Sequence, residues 1–178
     1  MRVASSLIIA AAACGCSGSG MSAGTRSSDA DSRITERFDS LALAARHWTA
    51  VLPDAGAGQA RVEEGAVKLV LTDKSEEMIL RRVVEASPFR GKRVRVTARM
   101  RGDDSRPVAK VRVVAKPATR PASYRDVART RDVQSFSWST ATATLDVDRD
   151  VDALEIDLVL ASAGTAWFDD VEVSIVGD

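Results

Sequence analysis

Aromatic side chains are scarce in this chain: Phe, Trp and Tyr together make 4% of 178 residues, and Tyr124 is the single tyrosine. Histidine is scarcer still, with His47 alone. Ser–His or Cys–His catalysis would have to run through His47, which sits beside Trp48, and no Gly-x-Ser-x-Gly elbow accompanies it. Cysteine occurs only at Cys14 and Cys16, so neither a disulfide framework nor a Cys/His zinc site can hold the remaining chain. Net charge is also missing: 25 bases balance 25 acids, which removes any whole-chain argument for nucleic acid. The adjacent acids Asp103/Asp104 and Asp169/Asp170 are neighbours along a strand or turn, so neither pair converges on one scissile bond. These absences leave a protein expected to act by binding and not as an enzyme.

The chain opens with Met1-Arg2-Val3 and an apolar run at residues 7–13, too short to span a bilayer, which reads as a signal peptide over residues 1–13. Ala11-Ala12-Ala13-Cys14 resembles the bacterial lipobox, and that resemblance implies a lipid on Cys14 after cleavage. Cys16, behind Gly15, is a competing site, and an ordinary secretory signal is the alternative. Lipidation would tether the protein to a membrane of the cell envelope, each buried CH₂ contributing about 0.8 kcal/mol. Residues 14–32 are then the lipidated cysteine and a linker, whose Ser, Gly, Ala and Asp show no apolar periodicity.

From residue 33 to 178 the pattern changes to period two. Strands are expected at 66–71, 78–84, 93–101, 108–115, 140–147 and 154–160. The clearest is 93–101, where Val94, Val96, Ala98 and Met100 face a core and the arginines between them face out. In the last stretch Val171, Val173 and Ile175 form one side; carried backwards, the same parity puts Asp169 and Trp167 inward. One helix is expected near 41–47. Many short strands with turn signals between them predict an all-β, antiparallel sandwich.

Three motifs make the pattern specific. Pro88-Phe89-Arg90-Gly91-Lys92 leads into the alternating strand; Ser137-Trp138-Ser139 precedes Ala143-Thr144-Leu145-Asp146-Val147; Trp167-Phe168-Asp169-Asp170-Val171 closes the domain. Together with Phe38-Asp39 and Trp48 they resemble the galactose-binding-like jelly-roll superfamily, which includes many carbohydrate-binding modules. The resemblance implies a jelly roll over residues 33–176 and core positions for Trp48, Trp138 and Trp167. It also implies a structural calcium held by Asp39, Asp169 and Asp170, with backbone carbonyls and water completing the shell. With those tryptophans in the core, Tyr124 is the aromatic left for a sugar.

Charge is unevenly spread. Residues 81–131 carry sixteen bases against four acids, while 132–178 carry eleven acids and one base, Arg149. One consequence would be a cationic sheet face built from Arg93, Arg95, Arg99 and Arg112, with Tyr124 nearby, holding an acidic or envelope glycan. The other is internal neutralisation, Glu155, Asp157 and Glu172 lying across from those arginines as cross-strand pairs. The expected function is therefore a non-catalytic envelope lipoprotein whose jelly roll binds carbohydrate. The alternative is a domain docking on another envelope protein through the same face or the 118–131 loop.

Overall fold

Alternating side chains decide the architecture, because each strand must bury one face and wet the other. The computed structural model describes residues 33–38, 46–51, 57–73, 77–123, 127–129 and 137–177. Eleven strands run through them: β1 (Arg33–Glu36), β2 (Thr49–Val51), β3 (Gly58–Glu63), β4 (Ala66–Leu71), β5 (Met78–Glu85), β6 (Arg93–Gly102), β7 (Ala109–Pro117), β8 (Val127–Arg129), β9 (Ser139–Asp146), β10 (Val151–Leu160) and β11 (Gly164–Ile175). Every pairing is antiparallel.

A six-stranded front sheet has the order β3-β4-β11-β6-β9, with β1 also paired to β11. A five-stranded back sheet has the order β2-β5-β10-β7-β8. Their inner faces close on one core: Val94, Val96, Ala98 and Met100 of β6 meet Leu154, Ile156, Leu158 and Leu160 of β10, all essentially without exposure. Full burial of such a side chain contributes about 1.5 to 3 kcal/mol. Phe38 and Trp48, with ring centroids 5.6 Å apart, and Phe89 complete the core, as the motifs implied.

β3 and β4 are joined by a two-residue turn in which Glu64 and Gly65 both have positive φ (54° and 76°), the conformation whose twist suits a tight hairpin. The helix expected near 41–47 falls largely outside the described residues, and so do Cys14, the leader, the linker, Asp39, Tyr124 and Phe136.

One irregularity moves two of the expected side chains. The pairing of β11 with β6 slips between Asp169 and Glu172, and Asp170 there adopts φ of 47°. This is a β-bulge, one extra residue on one strand, and it reverses parity along β11. Ala166 and Phe168 are buried before it, Val171 and Val173 after it. Trp167 and Asp169 therefore face outward, not into the core.

Candidate functional site

On the outer face of the front sheet, adjacent strands bring a row of side chains into line. Arg61 of β3 lies across from Lys68 of β4, Lys68 across from Trp167 of β11, and Trp167 across from Arg101 of β6. Trp138, immediately before β9, extends the row. The Lys68 ammonium lies 4.8 Å from the Trp167 ring centroid, and the Arg101 guanidinium 4.5 Å from it on the neighbouring strand. Arg101 is also 5.2 Å from the Trp138 ring, which Arg99 approaches at 5.0 Å. From Lys68 onward, cations and indoles thus alternate along the row. Each such contact contributes about 0.5 to 1 kcal/mol when exposed and about 2 when desolvated.

Trp138 and Trp167 are both only half-buried, which corrects the core positions implied for them. For Trp167 the reason is the bulge; Trp138 stands just outside β9, whose buried side begins at Ala141. Their role on the surface is electrostatic. A guanidinium laid against an aromatic ring keeps its full charge and its planar set of N–H donors, the groups that recognise carboxylates.

Beside the row lies a shallow hollow of about 450 Å³ lined by Arg101, Gly102, Asp103, Asp104, Ser105 and Trp167. Its wall is a tight turn. Asp103 Oδ1 accepts from the Ser105 amide at 3.0 Å and from the Ser105 hydroxyl, while the Asp103 amide donates to the Thr165 carbonyl at 3.0 Å. Burial alone pushes the Asp103 carboxyl up, but the hydrogen bonds from Ser105 and Thr165 outweigh it and hold the group below its ordinary value. Gly164 is required underneath: at φ of 137°, any Cβ would stand 2.3 Å from the Ser105 hydroxyl.

Two donors at this hollow have no acceptor. Arg101 Nε and Trp167 Nε1 are both buried without a hydrogen-bond partner. Arg95 and Arg101 also have no acidic partner among the described residues, Arg95 lying between the neutral Ser174 and Thr144. Arg93 is different: it is bidentate to Asp146 at 2.7 and 2.9 Å, a pairing that lowers the Asp146 pKa. Arg99 meets Asp170 at 3.2 Å, and Glu172 pairs with Arg33 at 2.7 Å. A larger hollow, about 630 Å³, opens at the other end of β6 around Gly91, Arg93 and Asp146. Its arginine is already engaged by Asp146, so it is the weaker candidate for an ionic ligand.

The back sheet is built on the opposite principle. Thr49, Arg81, Asp157, Arg112 and Arg129 lie in one transverse row. Asp157 has no exposure at all, and its two oxygens take Arg81 Nε and Nη2 at 2.7 and 3.0 Å and Arg112 Nε and Nη2 at 3.0 and 2.9 Å. The hydrogen bond to Asp157, with the charges of Asp157 and Glu155, raises the Arg81 pKa against its burial. Glu155 meets Arg81 and Lys116, and Glu77 meets Lys110 and Arg112.

Of the residues expected to form one cationic face, Arg93, Arg95 and Arg99 share the front sheet. Arg112 projects from the other sheet, on the far side of the core, so the four do not form one surface. Tyr124 and Asp39 lie outside the described residues. Asp169 and Asp170 are brought together at the bulge, but Asp170 faces Arg99 and Arg37, the latter at 3.4 Å. Among the described residues no three His, Cys, Asp or Glu side chains are grouped to hold a metal ion. Lys68, Arg101, Trp138 and Trp167 were not among the expected site residues. Arg101 was legible as the next outward position after Arg99.

No family model and no curated protein matches the sequence. Solved structures do match the fold. A family 4 carbohydrate-binding module is similar at 22% identity and a TM-score of 0.52, over 72% of this chain and 86% of that one. The CBM22-1 xylan-binding domain of Paenibacillus barcinonensis Xyn10C is similar at 9% identity and 0.59, over 82% and 94%. The C-terminal family 22 carbohydrate-binding module of Clostridium thermocellum Xyn10B is similar at 11% and 0.58, over 81% and 92%. At these identities the likeness is one of fold. The chain is a jelly-roll sandwich of the kind that carbohydrate-binding modules use.

Proposed function

We propose that this module binds a carbohydrate chain laid across the outer face of its front sheet. The observation that carries the reading is the surface position of Trp138 and Trp167, in line with Lys68, Arg99 and Arg101 and beside an open polar hollow. The jelly-roll fold supports it, since carbohydrate-binding modules are its structural neighbours. Along β9 the exposed hydroxyls of Thr140, Thr142 and Thr144 extend the polar surface next to Trp138. A lipid on Cys14 would hold the module at a membrane of the bacterial envelope with this face free. A structural calcium at Asp169 and Asp170 would have to displace Arg37 and Arg99 from Asp170.

The test is retention of the full chain on immobilised polysaccharides and peptidoglycan, comparing the unmodified protein with Trp138→Ala. Selective retention that Trp138→Ala weakens supports the reading. Retention on none, with the circular dichroism of an intact fold, sinks it.

A second reading, docking on another envelope protein, is favoured by a different surface. The exposed large apolar side chains among the described residues are Val51, Val83 and Val127, at 40%, 59% and 37%. All three project from the outer face of the back sheet, alternating with the core-packed Ala50, Val84 and Ala128. Crosslinking from Val83→Cys in cells would reveal such a partner.

A further inference from the structure

We infer that the ligand of the front face is a polyanion, an acidic polysaccharide whose carboxylate or sulfate groups seat against Arg101 between the two indoles, with Arg95 and Arg99 as further contacts along β6. The inference rests on the carbohydrate reading above and names the chemical class of the ligand.

Three observations carry it. First, Arg101 is charged, half-buried and without an ion pair among the described residues, although Asp103 and Asp104 line the same hollow; its direct neighbours are the rings of Trp138 and Trp167. An oxyanion supplies that ion pair; a neutral hydroxyl is the weaker partner, because hydrogen bonds between ionised partners are roughly twice as strong as neutral ones. Second, Arg101 Nε and Trp167 Nε1 are donors left without acceptors at the same hollow. Both residues line the hollow, so the internal hydrogen bonding of the sheet does not account for the donors on this side of it. Third, Trp167 is flanked by cations on both neighbouring strands, Arg101 and Lys68, the latter also paired with Glu63 at 3.2 Å. Its ring is committed to holding those cations and is not an open platform for a pyranose.

The spacing suits a polymer. Arg99 and Arg101 are two residues apart on one strand, about 6.7 Å, and Arg95 lies a further four residues back, about 13 Å from Arg99. Thr97 and the exposed β9 threonines fill the interval with hydroxyls. The acids Asp103 and Asp104 close one side of the hollow. They direct an anionic chain along β6 and away from the turn.

The experiment measures binding of the full chain to polygalacturonate and alginate, to the esterified neutral form of each, to dextran and dextran sulfate, and to poly-L-glutamate, at two salt concentrations. The expected result is at least tenfold tighter binding to the acidic polysaccharide than to its ester, weakening with salt. Arg101→Gln loses about tenfold, and Arg101→Lys, which keeps the charge but not the fork, lies between. Arg101→Gln also gives up its contacts with the two indoles, so a lower melting temperature is expected for it and not for Arg101→Lys; Arg95→Gln, at an exposed position with no acidic partner among the described residues, provides a second variant whose melting should not change. Preference for dextran sulfate over the uronates identifies the group as sulfate. Equal binding to acid and ester overturns the polyanion inference and leaves the carbohydrate reading standing. Poly-L-glutamate bound as tightly as the uronates overturns the carbohydrate reading, and binding to none of these overturns both.

Discussion

On the back sheet a carboxylate sits between the arginines; on the front sheet indole rings do. Both arrangements keep guanidinium groups in place on a sheet surface, but they leave different residual charge. Arg81 and Arg112 share Asp157, and Glu155 and Glu77 pair with the same arginines and with the lysines beside them, so each of these cations has an acidic partner within the sheet. Arg129, at the sheet edge, is the exception, with no acid partner among the described residues. Trp138 and Trp167 orient Arg99 and Arg101 without neutralising them; Arg99 shares an exposed pair with Asp170, and Arg101 has none among the described residues. A polarised ring is therefore a means of fixing a cation while keeping it available, and a buried acid is a means of fixing it permanently.

The strongest way to break this contrast is at Asp157. Asp157→Asn leaves two partly buried guanidiniums without their shared anion, and the expected loss of stability is about 3 kcal/mol or more, read by urea unfolding at constant m-value. Replacing Arg81, Asp157 and Arg112 together by Met, Leu and Met removes the charges as a set, and is expected to cost much less than the single change. Neither variant should alter retention on polysaccharide, because the core separates the two faces. Coupled loss of binding would show that the faces are not independent.

Next in size is Gly164→Ala. Its added carbon would overlap the Ser105 hydroxyl, and the positive φ adds backbone strain, together about 1 to 3 kcal/mol. The Asp103 turn has to shift, so binding at the adjacent hollow should weaken along with stability. A thermal melt paired with a polysaccharide titration checks both.

Much of this contrast was readable in the chain, and its failures have physical causes. The inward sets of β6, β9 and β10 followed from alternation alone, since a strand that buries one face has no freedom in which residues it buries. Alternation says nothing about which sheet a strand joins. That is why Arg112, on a strand as regular as β6, seemed to belong with Arg95. The misplacement of Trp167 and Asp169 came from carrying one parity through a bulge. A sign of it was present: Phe168 and Val171 are both apolar and three apart, an odd step that one unbroken strand cannot bury twice. Asp at the extra position was a second sign, as Asp and Asn tolerate the left-handed conformation better than most residues. The pairing of Arg81 with Asp157, 76 residues apart, had no local signature.

A subtler change sharpens the comparison from the front. Asp170→Asn keeps a residue suited to positive φ but withdraws the carboxylate from Arg99 and Arg37. The pairs are exposed, so stability should move by less than about 1 kcal/mol. Arg99 would then join Arg95 and Arg101 as a cation without an acid partner. Affinity for an acidic polysaccharide should rise two- to threefold in low salt and return toward that of the unmodified chain in high salt. A fall in affinity would mean that Asp170 positions Arg99 for the ligand instead of competing with it.

The smallest effect concerns acid. The folded-state pKa of Asp103 lies below its unfolded value, so the stability this group contributes is present above the ordinary carboxyl range and is lost as pH falls through the folded value. Protonation withdraws the acceptor from the Ser105 amide and hydroxyl, and the turn beside Arg101 loosens before the core does. Protection of the Ser105 and Arg106 amides, corrected for the intrinsic pH dependence of exchange, should therefore fall below about pH 4, in a window where β6 and β10 remain protected. Asp103→Asn should show that loss of protection at neutral pH and little further change on acidification.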